Sequence, residues 1–362
     1  MNTGNGNAME GAGEAKDLQL DDASALLNRG IDHAELGDYQ EAINRYTDAI
    51  QLWPTYVAAF INRGICYDAL EDFQAAINDY TTAIRLQPDC ATTFYNRGSA
   101  YLGLSEHEKA IVDYTEAIRL RPGDSASSYN RALAYMLLDE PNKAIEDYTE
   151  AIRLRPDYSA AFCSRGGAYL DLDEHTKAID DYTEAIRLRP GYLRAIYNRG
   201  VGYIEVAQYQ KAIENYTELV RIQPDHAAAF LSRGIAYAIL EDDDKAIKDY
   251  SEAVSIQQDY TLAFLNRGIA YANLGDYQKA ISDYTEAIRL QPDDAGTFYN
   301  RGGVFGETGD YKRAIEDYTE ALRLRPDDAD TLHYRGLSYR MIGMESRGLD
   351  DLKRSASLQK RL

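Results

Sequence analysis

The sequence has little that would place it in a membrane, in an oxidising compartment or on nucleic acid. It contains no apolar run near the roughly 18 residues that a membrane-spanning helix needs. Its three cysteines, Cys66, Cys90 and Cys163, match no disulfide framework or metal-ligand spacing. Acidic residues outnumber basic ones, 59 to 39, and the net charge of −20 argues against nucleic acid and anionic membranes as partners. We therefore predict a cytoplasmic protein that binds neither.

A complete catalytic or metal-binding set is also missing. No nucleophile, base and orienting group can be assembled with one copy of each role, because the carboxylates recur at repeated, solvated positions. No two of the five histidines stand at metal-binding spacing: His33, His107, His175, His226 and His333. We predict that the chain is not an enzyme and holds neither cofactor nor metal.

The N-terminal segment differs from the rest of the chain. The stretch MNTGNGNAMEGAGEAKDLQLDD lacks the basic start and the apolar run of a secretion signal. Its glycine, asparagine and acid content predicts a flexible N-terminal tail over residues 1–22.

The remainder of the sequence is one pattern, repeated without insertion or deletion. A triplet such as Asn-Arg-Gly recurs at one fixed spacing, and a constant period of this size indicates a repeat architecture. The third position of the triplet, which we call the triplet glycine, is Gly30, Gly64, Gly98, Ala132, Gly166, Gly200, Gly234, Gly268, Gly302 and Gly336. If each repeat starts seven residues before this position, ten repeats occupy residues 23–362. They begin at residues 23, 57, 91, 125, 159, 193, 227, 261, 295 and 329.

Each repeat predicts two amphipathic helices. In repeat eight, residues 261–294, apolar residues recur at helical spacing on both sides of Gly275 and Asp276. A glycine is typical of a helix end, and an aspartate of the next N-cap. Pro292 then ends the second helix, and eight of the nine prolines occupy this place in their repeats. The ninth, Pro141, falls in the first turn of a second helix, where proline is tolerated.

A 34-residue helix–turn–helix with glycine, tyrosine, alanine and proline at these positions resembles the tetratricopeptide repeat. The resemblance covers residues 23–362. It implies an all-α fold, a right-handed α-solenoid or superhelix whose first helices line the concave side. It also implies a protein that binds other proteins or peptides, although the fold serves many different partners.

The first helix of each repeat should present three distinct faces. The triplet glycine, the tyrosine three residues after it and the aromatic residue four before it are predicted to pack on the second helix of the same repeat. A face of alanines should contact the adjacent repeat. The third face, the apolar stripe, would be polar if it met only water, so it is either an interaction surface or is buried between neighbouring first helices. The stripe includes Ile61, Ile65, Tyr95, Leu102, Tyr129, Leu133, Met136, Leu170, Tyr197, Val201, Ile204, Leu231, Ile235, Leu265, Ile269 and Tyr299.

The triplet arginine is followed at a constant distance by an acidic residue in most repeats, as Arg131 is by Asp147. A basic and an acidic position at constant offset on packed helices predict a partly buried ion pair, since pairing makes such charges tolerable. The alternative is that the arginine binds a phosphate or carboxylate of a ligand.

The triplet asparagine borders the apolar stripe and supplies our candidate binding residues. An amide both donates and accepts hydrogen bonds, so a row of amides can hold an extended peptide backbone. This row is similar to the asparagine ladder of the O-linked N-acetylglucosamine transferase superhelix and of related peptide-binding repeats. The alternative is that the asparagines satisfy backbone groups between repeats or meet solvent. The candidate peptide-binding residues are Asn62, Asn96, Asn130, Asn198, Asn266, Asn300, Tyr95, Tyr129, Tyr197, Tyr299 and Arg194.

The charges along this surface favour a neutral or basic partner over an acidic one. Members of the family that hold the acidic tail of chaperones carry lysine three residues before the triplet glycine, and here that position is apolar almost throughout. Only Arg194 is basic on this surface, whereas Asp68, Asp171, Glu205, Glu307 and Asp330 border it. We therefore predict a non-catalytic scaffold or adaptor that binds an extended peptide in the concave groove.

The alternative function is a structural scaffold that forms homo-oligomers through its ends. In the last repeat, Gly348, Leu352 and Ser355 replace the usual alanine, tyrosine and alanine. These replacements predict a solvated cap, which favours the adaptor.

Repeat nine carries an unusual set of glycines. Gly296, Gly303 and Gly306 fall at positions that hold larger side chains in other repeats. They predict a pocket beside Tyr299 and Asn300 that admits one bulky ligand side chain, with Asn266 and Glu307 contacting the flanking peptide. The alternative is sequence drift in one repeat that the other repeats hold in place.

Overall fold

The computed structural model of this chain describes the backbone of residues 6–359 and the side chains of residues 21–359. Within that range every regular element is an α-helix, and twenty helices follow one another in tandem. This confirms the predicted all-α solenoid of helix pairs. The chain divides into two compact halves, an N-terminal half over Met1–Leu188 and a C-terminal half over Arg189–Leu362.

Each half contains ten helices in the described part of the chain. Those of the N-terminal half are α1 (Gly6–Glu35), α2 (Tyr39–Leu52), α3 (Val57–Ala69), α4 (Phe73–Leu86), α5 (Ala91–Gly103), α6 (His107–Leu120), α7 (Ser125–Leu137), α8 (Pro141–Leu154), α9 (Ser159–Asp171) and α10 (His175–Leu188). Those of the C-terminal half are α11 (Leu193–Glu205), α12 (Tyr209–Ile222), α13 (Ala227–Ile239), α14 (Asp243–Ile256), α15 (Thr261–Asn273), α16 (Tyr277–Leu290), α17 (Ala295–Glu307), α18 (Tyr311–Leu324), α19 (Ala329–Met341) and α20 (Glu345–Gln359). Odd-numbered helices are the first helices of their repeats, and even-numbered helices are the second.

The predicted N-terminal tail is helical over most of its length. Helix α1 begins at Gly6, so residues 6–22 are continuous with the first helix of repeat one. Residues 1–5 lie outside the part of the chain that the structure describes, and the flexibility of the tail stays a prediction. From α3 onward, every first helix begins at the first residue of its predicted repeat.

The turn between the two helices of a repeat has the same backbone conformation in all ten repeats. The residue seven positions after the triplet glycine has a positive φ each time, which closes the first helix with a left-handed residue. Glycine occupies this position in four repeats, including Gly275 with φ of 76°. The side chain of Asp276 then accepts a hydrogen bond from the Lys279 backbone N–H and caps α16, as predicted. The six side chains that adopt this conformation are Glu71, Ser105, Asp139, Asp173, Ala207 and Glu241.

The core of a repeat is a tyrosine ring of the second helix packed on the triplet glycine. A Cβ atom placed on Gly64 would lie only 2.6 Å from Cε1 of Tyr80, so glycine permits this close approach. Tyr80 is fully buried, as are most of its counterparts in the other repeats. The first-helix tyrosine that we predicted to be core is only half-buried, as at Tyr271. The ring still packs against Ala280 and Tyr284 of the second helix, as predicted, and Lys279 lies over it with its Nζ atom 5.1 Å from the ring centroid.

The alanine face of the first helix packs against the preceding repeat. Ala168 forms a buried cluster with Ala144 and Tyr148, which belong to the second helix of repeat four. Ala100 likewise packs with Ala76 and Tyr80. The prediction that small residues mediate contact between repeats is confirmed.

The triplet arginine forms a two-pronged ion pair with the aspartate of its own second helix. Arg131 donates from Nε to Asp147 Oδ2 and from Nη2 to Asp147 Oδ1, both at 2.7 Å. The side chains are 21% and 10% exposed, so the predicted partly buried ion pair is confirmed. A third bond runs from Arg131 Nη1 to Thr115 Oγ1 of the preceding repeat, at 3.0 Å. One guanidinium thus joins three helices: α6, α7 and α8.

The same arrangement recurs in both halves. The other pairs with both prongs are Arg63–Asp79, Arg97–Asp113, Arg165–Asp181, Arg233–Asp249, Arg267–Asp283, Arg301–Asp317 and Arg335–Asp351. Repeat six departs from the pattern because an amide replaces the carboxylate. There Arg199 Nε donates to Asn215 Oδ1 at 2.8 Å, and the Asn215 amide nitrogen donates to the Ile196 carbonyl.

Asp68 is a half-buried carboxylate outside this pattern. It lies four residues after the triplet glycine of repeat two, where repeats three and four have Leu102 and Met136. Its Oδ2 atom accepts a hydrogen bond of 2.6 Å from the Tyr80 hydroxyl, whereas Oδ1 is buried without a partner among the described residues. Burial raises the pKa of Asp68 to about 6, although the Tyr80 hydrogen bond opposes this shift.

We expect the Arg131→Ala variant to lose on the order of 2–3 kcal/mol of stability, because Asp147 becomes an unpaired, buried charge. The double variant Arg131→Met with Asp147→Leu should lose much less, since no charge remains. The matched control is Arg153→Ala, which breaks an exposed pair with Glu150 on the same helix α8 and should barely change the unfolding midpoint. Denaturant unfolding of the three variants measures this. A neutral Arg131→Ala change would mean that the ion pair contributes nothing to the fold.

We also expect the stability of the fold to depend on whether the Asp68 carboxyl group is protonated. An aspartate in an unfolded chain titrates near ~3.9, below the folded value of about 6. The stabilisation that the raised pKa of Asp68 provides is complete at pH values below the pKa of the unfolded chain. It is lost as the pH rises through about 6. An Asp68→Asn variant has no such loss, so its melting temperature should rise relative to the wild type between about pH 4 and pH 6.5 and then level off.

The control for this pH experiment is Asp171→Asn, which removes one negative charge from an exposed position at the end of α9. Melting curves at four or five pH values give the difference between each variant and the wild type. A difference for Asp68→Asn that stays flat across the range would show that this carboxylate is not destabilised by burial.

Candidate functional site

Most consecutive first helices within a half contact one another directly, for example α15 with α17 and α17 with α19. Consecutive second helices make no comparable contact within residues 6–359. The first helices therefore form one surface of each half, which we call the first-helix face. It is lined by the triplet asparagine and by the residues three before, one after and four after the triplet glycine.

The apolar stripe of the first-helix face is partly covered by its neighbours. Most of its side chains are half-buried, whereas Ile65 and Ile269 remain 45% and 37% exposed. Both alternatives for the stripe thus hold in part. Neighbouring first helices bury some of it, and the remainder is accessible to a partner.

Several stripe tyrosines bond to the triplet position of the next repeat. In the N-terminal half, the Asn130 amide donates to the Tyr95 hydroxyl at 2.8 Å, and the Tyr129 and Ser164 hydroxyls are 3.3 Å apart. In the C-terminal half, the Tyr197 and Ser232 hydroxyls are 3.5 Å apart. At these places the triplet residue helps to hold adjacent repeats together.

The remaining candidate asparagines fall into two groups. The Asn266 amide nitrogen donates to the Leu262 carbonyl of its own helix at 2.7 Å. The other four are partly exposed and make no side-chain hydrogen bond to another residue in the described part of the chain: Asn62, Asn96, Asn198 and Asn300. Arg194 is exposed in the first turn of α11.

The C-terminal half contains a cavity of about 1090 Å³ on its first-helix face. Its walls come from α15, α17 and α19, and the first residue of each following second helix also lines it. Of the candidate residues, Tyr299 and Asn300 line the cavity together with Glu307. Asn266, Asn198, Tyr197 and the remaining candidates do not.

The cavity exists because two side chains are missing from α17. A Cβ atom on Gly306 would meet nothing within 4 Å, and one on Gly303 would only reach the Tyr318 hydroxyl at 3.8 Å. The position of Gly306 holds leucine, methionine or isoleucine in repeats three to six. The pocket predicted beside Tyr299 and Asn300 is therefore present.

The part of the prediction that concerned Gly296 was wrong. A Cβ atom there would lie 3.5 Å from the Asp294 carboxylate and not in the cavity. The Gly296 N–H donates to Asp294 at 3.2 Å, so this glycine belongs to the N-terminal cap of α17. The role of Asn266 beside a ligand stays a prediction: its amide nitrogen is engaged within α15, which leaves its oxygen as an acceptor.

Three tyrosine rings form a contiguous wall of the cavity. The centroid of Tyr299 lies 6.0 Å from that of Tyr318 and 6.0 Å from that of Tyr334, and Tyr318 stacks on Tyr334. Burial raises the pKa of Tyr318, and the neighbouring rings and Glu307 raise it further. The Tyr318 phenol therefore stays protonated at neutral pH and can both donate and accept hydrogen bonds.

The charged groups of the cavity carry an excess of one negative charge. Arg340 donates to Glu345 at 3.1 Å, so these two neutralise each other. Glu307 is exposed at the C-terminal end of α17 and forms no ion pair with any residue that the structure describes. The cavity thus combines aromatic and apolar walls with one unpaired carboxylate.

Sequence reasoning missed the contribution of the last repeat. We predicted a solvated cap there, but Tyr334, Leu337 and Met341 of α19 close one side of the cavity. A signal was available, because Tyr334 stands where every other repeat has the triplet asparagine or serine. Its ring replaces the Asn130–Tyr95 type of hydrogen bond with an edge contact to Tyr299.

Membrane-spanning helices and metal-binding clusters are both missing from the described residues. None of the helices combines the length and apolarity that crossing a membrane requires, as far as the structure describes them. No group of three or more histidine, cysteine, aspartate or glutamate side chains is arranged to hold a metal ion in the same part of the chain.

Comparison with solved structures returns other proteins of this architecture. A tetratricopeptide repeat protein from Parabacteroides merdae ATCC 43184 is similar at 17% identity, covering 69% of this chain and 98% of that protein, with a TM-score of 0.51. YrrB, described as "a TPR protein with an unusual peptide-binding site", shares 23% identity over 51% of this chain and 95% of its own, with a TM-score of 0.47. MamA from Desulfovibrio magneticus RS-1 shares 21% identity over 46% and 95%, with a TM-score of 0.45. No curated protein matches the chain.

Family models give the assignment. Four models, each described as a tetratricopeptide repeat, match most of the chain. The matched residues are 21–89, 91–124, 126–158, 159–192, 197–260, 261–294 and 295–328. The matches follow the helix pairs of the structure, and the chain belongs to the tetratricopeptide repeat family.

Proposed function

We propose that this chain is a non-catalytic scaffold that binds an extended peptide segment of a partner protein on its first-helix face. The observation that carries the proposal is the cavity beside Gly303 and Gly306, which can accept a side chain of the partner. Solenoids of stacked repeats offer such extended binding surfaces. A concave, mostly apolar site with a few polar groups is the usual form of a ligand pocket.

The triplet asparagines supply groups that can hold the backbone of the peptide. Asn300 lines the cavity, and its amide has no partner within the described residues, so it can donate to a peptide carbonyl and accept from a peptide N–H. Asn198 offers the same groups earlier in this half, and Asn62 and Asn96 offer them in the N-terminal half. The amide nitrogens of two others are already bonded, so their acceptor oxygens are what they offer a peptide: Asn130 and Asn266. Backbone recognition of this kind does not depend on the peptide sequence.

The charge of the chain supports a neutral or basic partner. With a net charge of −20, the protein attracts cations at long range and repels acidic segments. Glu307 lies beside the cavity and has no ion-pair partner among the described residues. Its carboxylate therefore also favours a basic segment over an acidic one. We place the interaction in the cytoplasm, where three free cysteines remain reduced.

A second candidate function is assembly into homo-oligomers through the last repeat. Met341, Met344 and Leu349 are 62%, 43% and 47% exposed there, which is an unusual cluster of apolar side chains on a cap. A second copy of the chain could bury these side chains against its own surface. This candidate does not involve Gly303 and Gly306.

We expect the double variant Gly303→Leu with Gly306→Leu to lose affinity for the captured partner while its thermal stability holds or rises. The leucines fill the cavity, and each replaces a helical glycine that costs roughly 1 kcal/mol relative to a good helix former. The matched control is Ala238→Leu, which enlarges the side chain at the Gly306 position of repeat seven, outside the cavity. Pull-down followed by titration, with melting curves of each variant, measures both effects. Unchanged affinity in the double variant contradicts the proposed site.

Sedimentation over a range of protein concentrations separates the two candidates. A peptide-binding scaffold should sediment as one species at all concentrations. A self-assembling scaffold should grow with concentration, and Met344→Ser with Leu349→Ser should prevent that growth by removing exposed apolar surface outside the cavity.

A further inference from the structure

We propose that the cavity of the C-terminal half binds an arginine side chain of the partner peptide, with the guanidinium against Tyr318 and Glu307. This proposal rests on the proposed function, because it names the residue that the peptide contributes. The cavity already holds the three kinds of group that such a side chain needs: an apolar channel for its stem, aromatic faces for its planar head and acceptors for its N–H groups.

The apolar channel is formed by missing and small side chains. Gly303, Gly306 and Ala272 leave the backbone bare along one side, and Ile269 and Val304 complete it. The carboxylate of Glu307 follows directly after Gly306 on the same helix. A long side chain with an apolar stem and a charged end matches a site that combines this apolar wall with the Glu307 carboxylate.

The aromatic wall suits a flat cation. Tyr299 and the 46% exposed Tyr334 present adjoining rings, whereas Tyr318 offers its hydroxyl, and a guanidinium is attracted to the faces of exposed rings. The chain already uses this contact close by, because the Arg313 guanidinium lies 4.4 Å from the centroid of Phe305. Arg313 is itself paired with Asp310, so it does not compete for Glu307.

The cavity also presents hydroxyl groups that have no hydrogen-bond partner among the described residues. Tyr318 is 3% exposed, yet its hydroxyl has no partner in the described part of the chain. In repeat three, by contrast, the Tyr114 hydroxyl bonds to Ser99 at 3.0 Å, and Gly303 is the residue that replaces this serine. Tyr299 lacks the bond that Tyr95 receives from Asn130, because Tyr334 replaces the asparagine.

A guanidinium has five N–H donors and no acceptor, so it complements these groups. An apolar ligand side chain would leave the Tyr318 hydroxyl buried without a partner. An acidic side chain would meet Glu307, and the one cation that lines the cavity, Arg340, is engaged with Glu345. Lysine fits the charge but cannot stack or donate from a planar group.

The first experiment is a selection of random peptides displayed on phage, with the full chain as bait. A parallel selection uses the Gly306→Leu chain, in which a leucine occupies the cavity. We expect the wild-type bait to enrich peptides with one fixed arginine and the variant bait not to enrich them. Peptides that bind both baits equally, or that fix an apolar or acidic residue, overturn the arginine proposal and leave the scaffold function standing. No enrichment on either bait overturns the scaffold function as well.

The second experiment uses the best selected peptide in synthetic form. Replacing its arginine by citrulline, which has the same shape without the charge, should weaken binding about tenfold, because charge-assisted hydrogen bonds and the cation–π contact are lost. Glu307→Gln should weaken binding of the arginine peptide severalfold and make it less sensitive to salt. Glu205→Gln is the matched control, since Glu205 holds the same place in repeat six away from the cavity. Equal affinity for arginine and citrulline peptides overturns the proposal.

Discussion

The arginine that bridges three helices is the interaction on which the rest of the structure depends. Its guanidinium is bonded to an aspartate of its own repeat and, at a fixed offset, to a hydroxyl of the preceding repeat, as in Arg131 with Asp147 and Thr115. The two partners lie at the same distance along the chain, one after the arginine and one before it. An insertion within either interval would move one partner out of reach of a short, directional bond and leave a buried charge unpaired. In the repeats that carry both bonds, this geometry favours a constant spacing between the bridging residues.

The arginine, the alanine face and the buried tyrosine are committed to packing, whereas the residues one and four positions after the triplet glycine differ between repeats. They lie beside the core tyrosine on the first-helix face, as Leu133 and Met136 do beside Tyr148, and take no part in the ion pair. They change from isoleucine, leucine and methionine to serine, aspartate and glycine along the chain. In repeat two the variation produces a half-buried acid at Asp68, and in repeat nine it produces a cavity. A regular scaffold thus carries an irregular surface, which is where a partner can be distinguished from other proteins.

The periodic features of the fold could be predicted from the sequence, and the contacts between repeats only in part. Helix pairs, the turn at Gly275, the Arg131–Asp147 pair and the glycines beside the cavity each follow from spacing within one repeat. The errors concern side chains whose surroundings come from a neighbour. Gly296 serves a cap with Asp294, the last residue of the preceding repeat, and not the cavity. Tyr334 closes the cavity from the last repeat. Its departure from the triplet asparagine marks the position in the sequence, whereas its contact with Tyr299 follows only from the stacking of the repeats.

The type of residue at the left-handed turn affects how much helix destabilisation a repeat can tolerate. In repeats two to seven this position carries a side chain, as at Ala207, and an L-residue in that conformation costs roughly 1 kcal/mol or more. In repeats eight to ten the residue is glycine, which adopts the conformation without that cost. The two helical glycines that open the cavity weaken α17 by a similar amount each. The glycine at position 309 therefore offsets part of the stability that repeat nine loses at Gly303 and Gly306. Backbone hydrogen exchange in this repeat should then be only slightly faster than in the neighbouring repeats.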